Sequence, residues 1–441
     1  MFASPASFQF PSPRRSLPRR GLVFLLLCLA SALAGPCVAA TPAETAQPSV
    51  RVIRFDDLKP EGSRLTTCWD AVAIDERQRV YIAFSDQNKT TPHDTVLFRY
   101  DPRTDRRELL GTLRQISRDE GNLAEGETIA KIHVPFQEHR GKFYFSSHDY
   151  HSYDGPQDLT ARRGGHFYSY DLQSEKFADL SKNDPGGVSV PHQGIIGLAI
   201  LRQHHKLAGF TFPHGDILIH DLDRGTTTLH PGVPEHRQGG KPSRQIFATD
   251  TGKVYFSYYD RRSSPLYVFD LHTGAIEATK DRYHFGMVYG AIPTRDGRRI
   301  YLVDLLGNLY AFDTREERLE DLGSLLPPDQ IAAGVKVEIC YTVVLSRDEK
   351  KLYTFPSRLS EAPALRVYEH DLATGRNRQV ADFTAALNGT TSDGRRADAN
   401  GRITGSGVID EQGRMYFGYH ESGDEGRNGV LLQVTLAGEN E

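Results

Sequence analysis

Six segments of this chain end a run of alternating apolar residues with an aspartate that opens a turn: LFRYDPRTD at Asp101, FYSYDLQSE at Asp171, ILIHDLDRG at Asp221, LYVFDLHTG at Asp270, LYAFDTREE at Asp313 and VYEHDLATG at Asp371. Alternation with period two reads as a half-buried strand, and an Asp side chain that bonds backbone N–H groups two residues on starts a tight hairpin. A seventh copy, VLLQVTLAG from Val430, lacks the Asp as the sequence runs out. Ahead of each copy lies a second hairpin, in which a small or apolar strand meets an aromatic one across a charged turn. Examples are VPFQEHRGKFYFSSHD, IFATDTGKVYFSYYD and GVIDEQGRMYFGYHE. Seven units of four strands each follow. The closest pair of aspartates, Asp270 and Asp313, is spaced like the roughly 40 to 50 residues of known propeller repeats. The pattern is that of an all-β chain, a seven-bladed β-propeller of four-stranded antiparallel blades.

Segments such as RRIYLVDLLGNLYAFD and GKVYFSYYDRRSSPLYVFDLHTG resemble the repeats of bacterial exported WD40-like and YVTN-like propellers, over nearly the whole chain after its first 40 residues. The resemblance is one of fold. It carries no catalytic motif residue by residue, and no Gly-His to Trp-Asp signature or sialidase-type box is present.

The ends of the repeat array predict how the ring closes. The seventh unit supplies three strands, near Thr404 to Ile409, Arg414 to Tyr419 and Val430 to Leu436, while SVRVIRFDDL from Ser49 precedes the first unit with nothing to pair with. The expectation is that the N-terminal strand completes the last blade and satisfies its edge. The propeller domain then spans 49–437, with 41–48 a short flexible lead.

Residues 1–40 read as a secretory signal peptide. Arg14, Arg15, Arg19 and Arg20 form the positive region, Gly21 to Gly35 the apolar one, and Val38-Ala39-Ala40 a small-residue cleavage site. The apolar run, about 15 residues, is shorter than the roughly 20 needed to span a bilayer, so no membrane span is expected after cleavage. Export to the periplasm or beyond is the expectation, by the general secretory or the twin-arginine route. With Cys28 and Cys37 removed, only Cys68 and Cys340 remain. Both precede an inner strand, in blades one and six, which are not neighbours; they are expected to stay apart beyond the roughly 7 Å that a disulfide tolerates. Net charge is −4 with Lys and Arg dispersed, which offers no nucleic-acid surface. A monomer is expected.

Aligning the units also predicts which side chains meet at the mouth of the central channel. The inner strands begin with Trp69-Asp70, Ile132-His133, Ile196-Gly197, Arg244-Gln245, Tyr289-Gly290, Tyr341-Thr342 and Thr404-Gly405. In blade two, His133 should meet His148 across the hairpin, with Tyr150 and His151 just beyond. His192 and His214 are further candidates on the same face. Histidine near neutral pH is the commonest general acid or base, an Arg fork reads a carboxylate or sulfate, and Tyr and Trp rings stack on sugar faces. Catalytic candidates are therefore His133, His148, Tyr150, Arg244 and Tyr289. Ligand-binding candidates are Trp69, Asp70, His151, His192, His214 and Tyr341. Each has a plainer reading: channel histidines bonded to backbone or water, Arg244 in a salt bridge to Asp70 or Asp304, and tyrosines packed in the core. His133, His148 and His151 can also be read as ligands of a divalent metal such as Zn²⁺ or Mn²⁺, although His-x-x-His in a loop is not a specific spacing.

Two function classes follow. One is an exported protein that binds or acts on a polar, anionic carbohydrate at the channel mouth, by lyase-type β-elimination if it is catalytic. The other is a non-catalytic propeller that presents its loop-elaborated face to a protein partner.

Overall fold

A computed structural model describes residues 47–86, 92–148, 160, 162–237, 241–259, 263–284, 287–360, 365–387, 401–423 and 426–436. Seven small antiparallel sheets stand in a ring, the arrangement of a seven-bladed β-propeller. Blade three shows the pattern: Gly194–Leu201, Lys206–Phe212, Ile217–Asp221 and Thr226–His230 pair in chain order. Burial falls along that order, from a first strand buried at every position to a fourth with much of its length exposed. The first strand of each blade therefore lines the axis.

The aspartate turns form as the sequence predicts. Asp171 accepts hydrogen bonds from the amides of Gln173 and Ser174, Asp270 from His272 and Thr273, Asp313 from Arg315 and Glu316, and Asp371 from Ala373 and Thr374. In these four, such backbone bonds are the largest cause holding the carboxyl below its ordinary range.

The last blade contains Arg402–Ile409, Met415–Gly423 and Gly426–Thr435, and its outer strand is the N-terminal Ser49–Ile53. The register runs antiparallel from Ser49 opposite Thr435 to Ile53 opposite Leu431. Past this strand, Phe55 is fully buried against Phe84 and Phe98 of blade one, and Arg54 forms a fork with Glu421 at 2.7 and 2.8 Å.

Two inner strands are shorter than the alternation predicts. In blade two regular pairing covers only Gln137–His139, and Ile132 makes an isolated bridge to Ser147. The reason is Pro135, which has no N–H to donate and restricts Val134. In blade four the strand is only Phe247–Ala248, so Arg244 and Gln245 precede it in irregular backbone.

Between the first and second blades, Leu113–Asp119 forms a helix capped by the Thr112 hydroxyl on the Gln115 amide. Behind it lies an ionic network whose His166, Asp179 and Glu127 are buried. His166 bonds Asp179 through Nδ1 at 3.1 Å and Glu127 through Nε2 at 3.0 Å. Asp179 also accepts from Ser117 and Asn122, and Glu127 from Arg163. Burial alone would lower the His166 pKa, but its two carboxylate partners outweigh that and raise it to about 9. This network ties the connecting segment to blade two.

Cys68 and Cys340 are free and buried, as expected, and burial pushes both thiols up to about 12. Because the thiolate is the reactive form, both should resist alkylation in the folded protein and take up two labels once denatured without reductant. Labelling of either before unfolding would contradict this.

Candidate functional site

Side chains at several of the inner-strand starts lie together. Trp69 of blade one stacks on His133 of blade two, with ring centres 5.0 Å apart and planes at 18°. His133 meets His148 edge to face at 4.7 Å. The Arg244 guanidinium of blade four lies 5.5 Å from the Trp69 ring, 5.1 Å from Tyr289 and 5.0 Å from Tyr341, and these two tyrosines pack edge to face at 4.8 Å. Five blades thus contribute to one layer of rings and cations. Below it, Gln245 donates a short hydrogen bond to Asp70, joining blades four and one across the channel.

Local structure explains how His133 and His148 meet. The His148 amide bonds the Lys131 carbonyl at 2.8 Å, and Ile132 bridges Ser147, so the two segments run side by side past the Pro135 interruption. Gly194 then lies against the far side of the His148 ring, where a β-carbon would collide with the imidazole.

His133 has the most unusual environment. It is 2% exposed, and neither ring nitrogen has a hydrogen-bond partner among the described residues. Burial, then the charges of Lys131, His148 and Arg244, hold its pKa well below the imidazole range, so it is neutral. The indole N–H of Trp69 is likewise buried without a partner among the described residues. Such groups cost free energy, of order 1–3 kcal/mol each, unless something satisfies them.

Of the residues singled out from the sequence, Trp69, His133, His148, Arg244, Tyr289 and Tyr341 share this layer, with Asp70 beneath it. His192 and His214 do not join it. His192 is exposed with Nδ1 2.7 Å from the Arg162 carbonyl, and His214 sits 4.0 Å from Asp216. Tyr150 and His151 lie outside the described residues. So does part of the metal reading, through His151; among the described residues no group of three His, Cys, Asp or Glu is placed to hold a metal. The Asp304 carboxylate is used within its own blade, by Asn308, Leu306 and Tyr310.

Lys131 was not expected here. It is buried, with its ammonium 4.9 Å from the Trp69 ring, and its charge acts on His133. The signal was present in the sequence: residues two apart in extended backbone face the same way, so a Lys two before a channel histidine shares its surroundings.

No family model matches the chain, and no curated protein matches it.

Proposed function

We propose that this propeller binds or acts on an anionic carbohydrate at the channel mouth, where Trp69, Lys131, His133, His148 and Arg244 meet. The observation that carries this reading is His133: buried, neutral, unbonded at both nitrogens among the described residues, and surrounded by cations and aromatic rings. A neutral imidazole can accept a proton, and a bound anion beside it would offset the cations that weaken it as a base. Neighbouring cations favour a carboxylate or sulfate, and an indole face and N–H suit a sugar ring.

For a uronate, the matching chemistry is β-elimination. His133 removes the proton from the carbon next to the carboxylate, the bond from the adjacent carbon to the glycosidic oxygen breaks, a carbon–carbon double bond forms, and the leaving oxygen takes a proton. Arg244 or Lys131 neutralises the carboxylate, which stabilises the charge that develops on it. Tyr289 or His148 is the donor candidate within the layer.

The test is to incubate the purified protein with a panel of acidic polysaccharides and follow the ultraviolet absorbance of the unsaturated uronate, with binding measured in parallel. His133→Ala should lower turnover by about 100-fold or more, as expected for loss of a general base, and leave the protein folded. Arg244→Ala should abolish binding. If both variants keep full affinity and turnover, the site reading fails. If no acidic carbohydrate binds at all, the interaction-scaffold reading replaces it.

A further inference from the structure

The turn Arg202–His204 and its cap His205, between the first two strands of blade three, carries adjacent histidines, and each faces an imidazole of another blade. His205 lies 5.4 Å, ring centre to ring centre, from His139 of blade two. His204 lies 5.4 Å from His272 of blade four, with the planes at 72°.

The two pairs differ in their electrostatics. Burial, with Arg202 and Arg140, lowers the pKa of His139, and only Glu138 works the other way. The same arginines oppose any cation there. Asp270 precedes His272 by two residues and accepts a hydrogen bond from its amide at 2.8 Å.

The geometry of the second pair is convergent. Nε2 of His204 is buried and has no hydrogen-bond partner among the described residues. A β-carbon at residue 252 would stand 3.0 Å from His204 Nε2 and 3.1 Å from His272 Nε2. Both nitrogens therefore approach the same side of Gly252, and the missing side chain there, at φ +84°, keeps the space beside them clear. Two imidazoles ligating one tetrahedral ion at about 2.05 Å hold their ring centres about 5.2 Å apart. The observed spacing matches.

We propose that His204 and His272 ligate a late first-row divalent cation, Zn²⁺ or Cu²⁺, with water in the remaining positions. Imidazole suits both ions, and with two protein ligands the site is exchangeable, unlike a closed structural one. Occupied, it clips the first turn of blade three to the third turn of blade four and raises stability by mass action.

Calorimetric titration of the purified protein with Cu²⁺ alone, with thermal melts at saturating Cu²⁺, tests this. The exposed His272 is the safer position to alter, and His272→Gln should keep the metal-free melting temperature while losing one equivalent of Cu²⁺ and the metal-induced rise in Tm. His204→Gln should lose the same equivalent, and His139→Gln should retain it. A wild-type protein that binds no Cu²⁺, or a His272→Gln variant that binds as many equivalents as wild type, overturns the proposal.

Discussion

Deleting Ser49 to Leu58 should lower the melting temperature of the whole domain by roughly 10 °C or more. The strand Ser49–Ile53 forms the outer edge of the last blade, so its loss strips the pairing from Gly426–Thr435 and exposes that edge. Each ladder bond contributes about 0.5–1.5 kcal/mol net. Burial of Ile53 and Phe55 adds about 1.5–3 kcal/mol each. The Arg54–Glu421 fork is lost as well, leaving a buried carboxylate unpaired. Several kcal/mol lost from a chain this long corresponds to a shift of that size. A truncated protein that melts at the wild-type temperature would show that the pairing does not hold the ring together.

Replacing His166 by Gln should cost about 3–5 kcal/mol, because it leaves Glu127 and Asp179 buried with their shared cation gone. The same network sets a pH dependence. With the folded His166 pKa at about 9 against about 6.5 unfolded, its stabilisation is complete below about pH 6.5 and is lost as pH rises through 9. Glu127 and Asp179 are lowered, despite burial, by their bonds to His166, so their share is lost as pH falls through their folded values, below the ordinary carboxylate range. Denaturation midpoints measured from pH 6 to 9 should fall in wild type and stay nearly flat in His166→Gln. Equal slopes in the two proteins would refute the role of this imidazolium.

The blades were legible because their signal is local and repeated: alternation sets the strands, and an Asp bonded by the backbone amide two residues on sets the third turn of the first six. The channel layer was legible in outline for the same reason, since equivalent positions of a repeat must face the same axis, which placed Trp69, His133, Arg244, Tyr289 and Tyr341 together. Histidines on connections were another matter. His214 follows the second strand of its blade as His148 does, yet past Phe212 the chain turns toward Asp216, and where His192 turns depends on a partner distant in sequence, the Arg162 carbonyl. Two imidazoles of the 202–205 turn escaped notice because their partners, His139 and His272, come from other blades in registers that only the closed ring defines.

The hydrogen bond from Gln245 to Asp70 joins blades one and four, which stand nearly opposite in a ring of seven. Contacts between adjacent blades alone leave a ring free to flatten into an oval, whereas a strut along a diameter resists that mode. It also forms only once both halves of the ring are in place. The chain holds a single tryptophan, and it is Trp69, beside that strut and stacked on His133. Its emission during refolding therefore reports the assembly of the opposite halves and is insensitive to the folding of individual blades, so fluorescence should lag behind the far-ultraviolet circular dichroism of strand formation.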